Sequence, residues 1–258
     1  KQIIDFYCII FRILLIFFKS IHRGQFMKNL IPKFILEQFS QKNYAGNFAA
    51  SAIFIDISGF TKMTQKLMAN GKEGAEILSD IINEIYTPAI QAIYDWNGFI
   101  TAFAGDAFIA VFPDKDAQPL FALNAANTIQ RLFEQASRKN IRSEQFQLSA
   151  KMGVSYGNVQ WKIIENNCQN TYFFRGEAIK NSVACEQNAQ AGKVTIDENI
   201  AKIVDNSIEI TPQTAPFYQL GSCQNVEKPP LKSSLIAPEL YKNFVPESIL
   251  NLNIKGEF

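Results

Sequence analysis

Ile53-Phe54-Ile55-Asp56-Ile57-Ser58-Gly59-Phe60-Thr61 and, downstream, Phe103-Ala104-Gly105-Asp106-Ala107-Phe108 decide how this chain folds. Each stretch is an apolar run that delivers one aspartate at a glycine-bearing turn. A run this dense reads as a buried strand, where a carboxylate is costly unless paired or metal-bound. Two such carboxylates beside glycines point to a divalent-cation site, with backbone amides free to hold phosphate.

Composition narrows the partners. The chain has 258 residues, 47% hydrophobic and 19% charged, enough for one large domain, or one domain with flanking pieces, around a proper core. Its 25 basic and 24 acidic residues leave a net charge of +1. Nucleic-acid binding is therefore not expected, since it needs a concentrated basic surface. Cys8, Cys168, Cys185 and Cys223 lie far apart and form no CxxC pair. That argues against structural zinc and suits a reducing compartment, the cytoplasm. His22 is the single histidine and lies in the least domain-like part of the chain. Metal chemistry must then rest on carboxylates and a hard cation such as Mg²⁺.

Residues 3–18 are almost wholly apolar but carry Asp5 and Arg12. The run falls short of the roughly 20 residues of a membrane span. No small-residue cleavage site follows it. Residues 1–26 read as an upstream extension outside the fold, with a membrane anchor as the lesser alternative.

Residues 27–48 read as an N-terminal helix and lead-in, the helix over 28–39 with Leu30, Phe34, Ile35 and Phe39 on one side. A strand follows at 49–57, then a short helix from near Thr61. Over 73–95 the positions Ile77, Leu78, Ile81, Ile82, Ile85, Tyr86, Ala89, Ile90 and Ile93 keep a helical period, with Pro88 predicting a kink. Trp96-Asn97-Gly98 is a turn into a hairpin, Phe99–Phe103 and Ala107–Phe112, with Asp106 at its tip. A helix is expected at 116–137. A second strand pair, 146–155 and 158–164, turns at Tyr156-Gly157-Asn158. A strand at Thr171–Arg175, a helix at 177–190 and a strand at Val194–Ile196 complete a domain over 49–200. Beyond residue 200 the pattern loosens among prolines, and 201–258 reads as an extension and linker. This order predicts an α/β (α+β) sandwich: a ferredoxin-like βαββαβ core with an extra β-hairpin, its helices packed on one side of a mainly antiparallel sheet. One internal echo is present. Ile31-Pro32-Lys33-Phe34-Ile35-Leu36 with Gly46-Asn47-Phe48 resembles Val245-Pro246-Glu247-Ser248-Ile249-Leu250 with Gly256-Glu257-Phe258.

If the first strand lies beside the hairpin, Asp56 and Asp106 project from one edge. Nearby carboxylates raise each other's pKa unless a cation bridges them. A bound Mg²⁺ pair relieves this, activates a hydroxyl and orients phosphates. Ile57 to Thr61 offer N–H groups at a helix start, and Gly59 permits close approach. Taken singly, Asp56 reads as an N-cap and Asp106 as an ordinary turn residue. Together, each after an aromatic-rich buried strand, they read as a site.

Phe54–Thr64 (FIDISGFTKMT), the amphipathic helix, and Phe103–Phe112 (FAGDAFIAVF) resemble the catalytic domain of class III nucleotidyl (adenylate and guanylate) cyclases, nearest the soluble adenylyl cyclase-like branch. The likeness runs from about Ile31 to Ile200. It implies that Asp56 and Asp106, with Ile57, bind two Mg²⁺ ions, or Mn²⁺ in their place. It implies that Ser58, Gly59, Phe60 and Thr61 form the phosphate-binding turn. Lys151 matches a basic position that contacts phosphates; a surface lysine at a strand start is the plain alternative.

Members of that family work as dimers or tandem halves, with ATP held between them. Gly176-Glu177-Ala178-Ile179 matches the segment that carries the second half's Asn and Arg, yet those positions hold Lys180 and Ala184. The purine-selecting lysine falls on Ala102 and its partner acceptor on Phe173. Alanine cannot neutralise charge developing on a phosphoryl group, so a homodimer should be nearly inactive. The resemblance thus implies a first, C1-like half that turns ATP into cyclic AMP and pyrophosphate with a complementary C2-like domain, in the same or another chain. Neither Ala102 nor Val183 is basic, which argues against bicarbonate activation. Two rivals remain: a catalytically degenerate regulatory domain that dimerises and binds nucleotide, and a diguanylate cyclase. The second expects another acidic residue at the hairpin tip, where Ala104-Gly105-Asp106-Ala107 has none. Trp96 and Trp161 read as packing residues.

Overall fold

Ala50–Ile53 are buried without a break, and Ile55 and Ile57 then alternate with half-buried Phe54, Asp56 and Ser58. Apolar burial on both faces marks a central strand, and the surrounding sheet bears this out. The computed structural model describes residues 31–114, 119–136, 148–204, 208–223, 227–230 and 238–245. Its elements are α1 (Lys33–Ser40), β1 (Ala45–Ser58), α2 (Phe60–Met68), α3 (Gly71–Asp95), β2 (Phe99–Ala104), β3 (Ala107–Pro113), α4 (Pro119–Ala136), β4 (Ser149–Ile164), β5 (Thr171–Gly176), α5 (Glu177–Asn188), β6 (Val194–Asp197), α6 (Glu198–Ala201), β7 (Ile208–Pro212) and β8 (Phe217–Cys223). A 3₁₀ helix, Pro238–Asn243, follows. The readings placed on residues 1–30 and 246–258 lie outside the described residues; they include the upstream extension, Cys8, His22, Leu30 and most of the second echo. Among the described residues no helix is long and apolar enough to cross a membrane.

The chain divides into two units. The larger takes the described residues within 48–159 and 176–230. Its strands run in the order β2-β3-β1-β4-β6-β8-β7. β1 and β3 pair antiparallel from Ala50↔Pro113 to Ile55↔Phe108, and β2 pairs antiparallel with β3. The β4–β6 pairing is parallel, Met152↔Val194 to Val154↔Ile196, while β6–β8 and β7–β8 are antiparallel. The result is a mixed α/β fold on a mainly antiparallel open sheet. α3 continues through Pro88 for 25 residues and buries Leu78, Ile81, Tyr86, Ala89, Ile90 and Ile93.

The smaller unit takes residues 31–47, 160–175 and 238–245. Here α1 begins one residue after Pro32, whose carbonyl accepts from the Ile35 and Leu36 amides. Phe34 meets Trp161 edge-on at 5.2 Å, and Phe39 meets Phe244 at 5.1 Å. Trp161 is a packing residue, as read; Trp96, in the larger unit, is buried likewise.

Two expectations fail. The strand pair turning at Tyr156-Gly157-Asn158 is instead one 16-residue strand, β4. Gly157 serves packing: a Cβ there would lie 3.3 Å from the Ala178 amide nitrogen on α5. The pattern also does not loosen after residue 200, because β7 and β8 join the sheet, with Thr195↔Gln219 and Asp197↔Phe217 attaching β8 to β6. These strands are half-exposed and proline-flanked, so they carry no dense apolar run.

Candidate active site

The register of β1 on β3 brings the two aspartates to one end of the sheet. Ile55 pairs with Phe108, so Asp56 runs on towards the turn that carries Asp106. Successive strand side chains alternate faces, which puts Asp56 with half-buried Phe54 and Ser58, opposite the core side chains Ile55 and Ile57. The chain then turns through Gly59, whose φ of 90° lies in the left-handed region that glycine enters without strain. α2 starts there without a side-chain cap. The first amides of a helix have no intrahelical acceptor and can face an anion.

Asp106 is held from two sides. Thr61 Oγ1 donates to its Oδ2 at 3.1 Å, and the Tyr86 hydroxyl donates to its backbone carbonyl at 2.9 Å. The Tyr86 ring packs edge-on to Phe60 at 5.8 Å and lies 6.0 Å from Phe108, so one aromatic stack joins the two motifs. Burial drives the Tyr86 hydroxyl well above its ordinary pKa of 10.0, and the charges of Asp106 and Asp56 push it further. It therefore remains a proton donor.

The Asp56 carboxyl is raised above its ordinary value, first by burial and then by the charges of Asp106 and Glu186. The Lys151 ammonium and the Ile57 N–H pull it down without cancelling that rise. Lys151 itself is 3.1 Å from Glu186 Oε1, and their side chains are 23% and 10% exposed. Oxygen donors with excess negative charge fit a hard cation. Among the described residues no group of three or more His, Cys, Asp or Glu is placed to hold a metal. The two carboxylates would need main-chain oxygen, such as the Ile57 carbonyl, and ligand phosphate to complete a coordination shell.

A family profile described as Adenylate and Guanylate cyclase catalytic domain matches residues 45–221. The chain belongs to this cyclase family. This chain is 24% identical to the terminal-differentiation-specific adenylate cyclase of Dictyostelium discoideum, over 90% of this chain and 12% of that protein. It is 24% identical to adenylate cyclase type 10 of Homo sapiens, over 74% and 12% respectively. A cytidylate cyclase of Staphylococcus aureus is 26% identical over 60% of this chain and 37% of its own length. The chain thus spans about an eighth of the first two relatives. Among solved structures, the adenylyl cyclase CyaB of P. aeruginosa superposes with a TM-score of 0.58 at 19% identity, covering 71% of this chain and 99% of CyaB. A bacterial light-regulated adenylyl cyclase gives 0.61 at 17% identity, covering 78% and 61%.

Other residues singled out in the sequence lie as follows in the cyclase domain. Ala102 is exposed on β2, opposite Ile109. Phe173 is 36% exposed on β5, in the smaller unit, with Arg175 5.8 Å over its ring. Lys180 is exposed on α5, and Ala184 is half-buried one turn later. Ala184, Asn181, Asp197 and Phe217 help line a cavity of about 210 Å³ that includes neither Asp56 nor Asp106.

The structure adds two residues to the site. Glu186 shares the inward stripe of α5 with Ala178, Ser182 and Cys185; a charge on such a stripe is itself a legible signal. Tyr86 sits in an apolar period, and its hydroxyl partner is 20 positions away, so no local signal announces it.

Proposed function

We propose that this domain supplies the metal-binding half of a nucleotidyl cyclase site and, with a complementary C2-like domain, converts ATP to cyclic AMP and pyrophosphate. The reading rests on one observation: the β1–β3 register carries Asp56 towards the hairpin turn that holds Asp106, and Thr61 at the start of α2 donates to the Asp106 carboxylate. Asp56, Asp106 and the Ile57 carbonyl would hold Mg²⁺, or Mn²⁺. Such ions polarise the ribose 3′-hydroxyl and neutralise phosphate charge. Gly59 and the first turn of α2 would bind the polyphosphate through backbone N–H groups, and Lys151 would add a point charge. Thr61 and Tyr86 fix the carboxylate of Asp106 and its backbone. The 3′-hydroxyl would give up its proton to water, the 3′-oxygen would bond to the α-phosphorus, the bond from that phosphorus to the α–β bridging oxygen would break, and pyrophosphate would leave with the electron pair.

Ala184 and Lys180 favour a partner that brings a cation to the transferring phosphoryl group. The same two residues support a second reading, a degenerate regulatory domain that binds nucleotide and dimerises. One experiment separates them. The chain is mixed with a C2-like domain bearing the Asn and Arg, and cyclic product is measured from ATP, GTP and CTP with Mg²⁺ or Mn²⁺. The expected result is cyclic AMP formation that falls roughly a hundredfold or more in Asp106→Ala, since several kcal/mol of charge stabilisation is lost. Unchanged output from Asp106→Ala removes the metal assignment. Mg²⁺-dependent ATP binding without turnover selects the regulatory reading, and preference for another nucleotide replaces ATP as substrate.

A further inference from the structure

Glu186 is 8% exposed on a helix face otherwise made of small or apolar residues. A buried carboxylate is a poor packing choice, and a well-fitted apolar residue usually serves stability as well or better. Its position has a specific origin. Lys151 and Gly153 share one face of β4, and α5 lies against that face so closely that a Cβ at Gly153 would be 2.2 Å from the Glu186 amide nitrogen. That approach brings Glu186 over Lys151, where the ion pair forms at 3.1 Å.

β4 is the neighbour of β1 in the sheet. The Lys151 charge already acts on the Asp56 carboxyl. The Lys151 ammonium is thus paired with Glu186 while its field also reaches Asp56 on the neighbouring strand. Lysine carries its charge on a flexible stem that re-aims easily. An orphaned, half-buried ammonium takes the next carboxylate within reach.

We infer that Glu186 is a positioning residue: by engaging Lys151 it keeps that ammonium from closing on Asp56, and so leaves the aspartate pair open to a divalent cation. The inference rests on the metal-binding role given to Asp56 and Asp106 above.

Mn²⁺ binding to the full chain, without nucleotide, tests it through water-proton relaxation, a readout independent of turnover. Glu186→Gln should weaken Mn²⁺ binding about tenfold, within the coupling expected of neighbouring charges. Glu186→Asp, which keeps the pair, should bind as wild type. The decisive variant is Lys151→Met combined with Glu186→Gln. With the ammonium gone, it should bind Mn²⁺ like Lys151→Met alone. If Glu186 acts only as one more negative charge, the combined variant stays about tenfold weaker than Lys151→Met, and the inference falls. It falls equally if Glu186→Gln binds as wild type. Circular dichroism checks each fold, and a combined variant restored to Lys151→Met levels cannot be explained by misfolding. Asp56→Asn separates the two levels of argument. If it binds Mn²⁺ undiminished, or if wild type binds none, the metal reading itself fails; if it alone loses binding while Glu186→Gln does not, only the Glu186 role fails.

Discussion

Gly153→Ala adds one methyl where β4 and α5 leave no room. The new Cβ would lie 2.1 Å from the Ser182 carbonyl oxygen, 2.2 Å from the Glu186 amide nitrogen and 2.7 Å from Cys185 Cβ. Ordinary contact begins at 3.4 Å, so α5 must retreat by about 1 Å. Two of the three obstacles are helix backbone, which cannot rotate aside. Overpacking typically costs about 1–3 kcal/mol, and an immovable obstacle puts this site at about 3 kcal/mol or above. That is a large share of the roughly 5–15 kcal/mol that keeps a domain folded. The same retreat draws Glu186 away from Lys151. Gly157→Ala is the matched control, one methyl on the same face of the same strand. Its nearest neighbours on α5 would be 3.3 and 3.4 Å away, so a few tenths of an ångström suffice and the loss stays below about 1 kcal/mol. Urea unfolding followed by fluorescence of Trp96 and Trp161 measures both. With a slope of about 2 kcal/mol per molar, Gly153→Ala should lower the midpoint by about 1.5 M and Gly157→Ala by less than about 0.5 M. Equal shifts in the two variants would refute the close strand–helix packing from which the position of Glu186 is argued.

Two further outcomes follow from buried titratable groups. Among the described cysteines, Cys168 is exposed while Cys185 and Cys223 are buried. Burial pushes the Cys223 thiol up to about 11, and burial with the charge of Asp197 drives Cys185 higher still. Iodoacetamide at mildly alkaline pH should therefore label Cys168 and spare the other two, since the thiolate is the reactive form; comparable labelling of all three in peptide mass spectra would contradict the fold. Burial also raises the Asp197 carboxyl above 3.8, against hydrogen bonds from Ser155 Oγ at 2.6 Å and the Ile200 amide at 3.1 Å. The folded chain holds that proton more tightly than the unfolded chain, so the group's contribution is full below 3.8 and is lost as pH rises through the raised value. The unfolding free energy of wild type minus that of Asp197→Asn should decline as pH climbs from about 4 and then level off. A difference that grows with pH would reverse the assignment.

The central strand, the long helix and the β2–β3 hairpin were legible because their signals are local. Apolar density at Ile53–Ile57 and Phe108–Phe112 can be satisfied only by burial, and the period from Leu78 to Ile93 suits one helix face. The glycine turns next to Asp56 and Asp106 were equally local, so the candidate aspartates could be named from the chain alone. Gly157 could not be read locally, because a turn and a tight strand–helix approach ask for the same residue and only α5 decides between them. β8 gains its standing from ladder bonds to β6, and β7 from ladder bonds to β8, rather than from their own composition. Tyr86 and Glu186 look like one core residue and one helix charge until folding sets their polar atoms against Asp106 and Lys151. Hydrophobic periodicity therefore sufficed for the scaffold and the two acids. The partners of those acids depend on contacts between residues far apart in the chain, and only the packed sheet and helices select them.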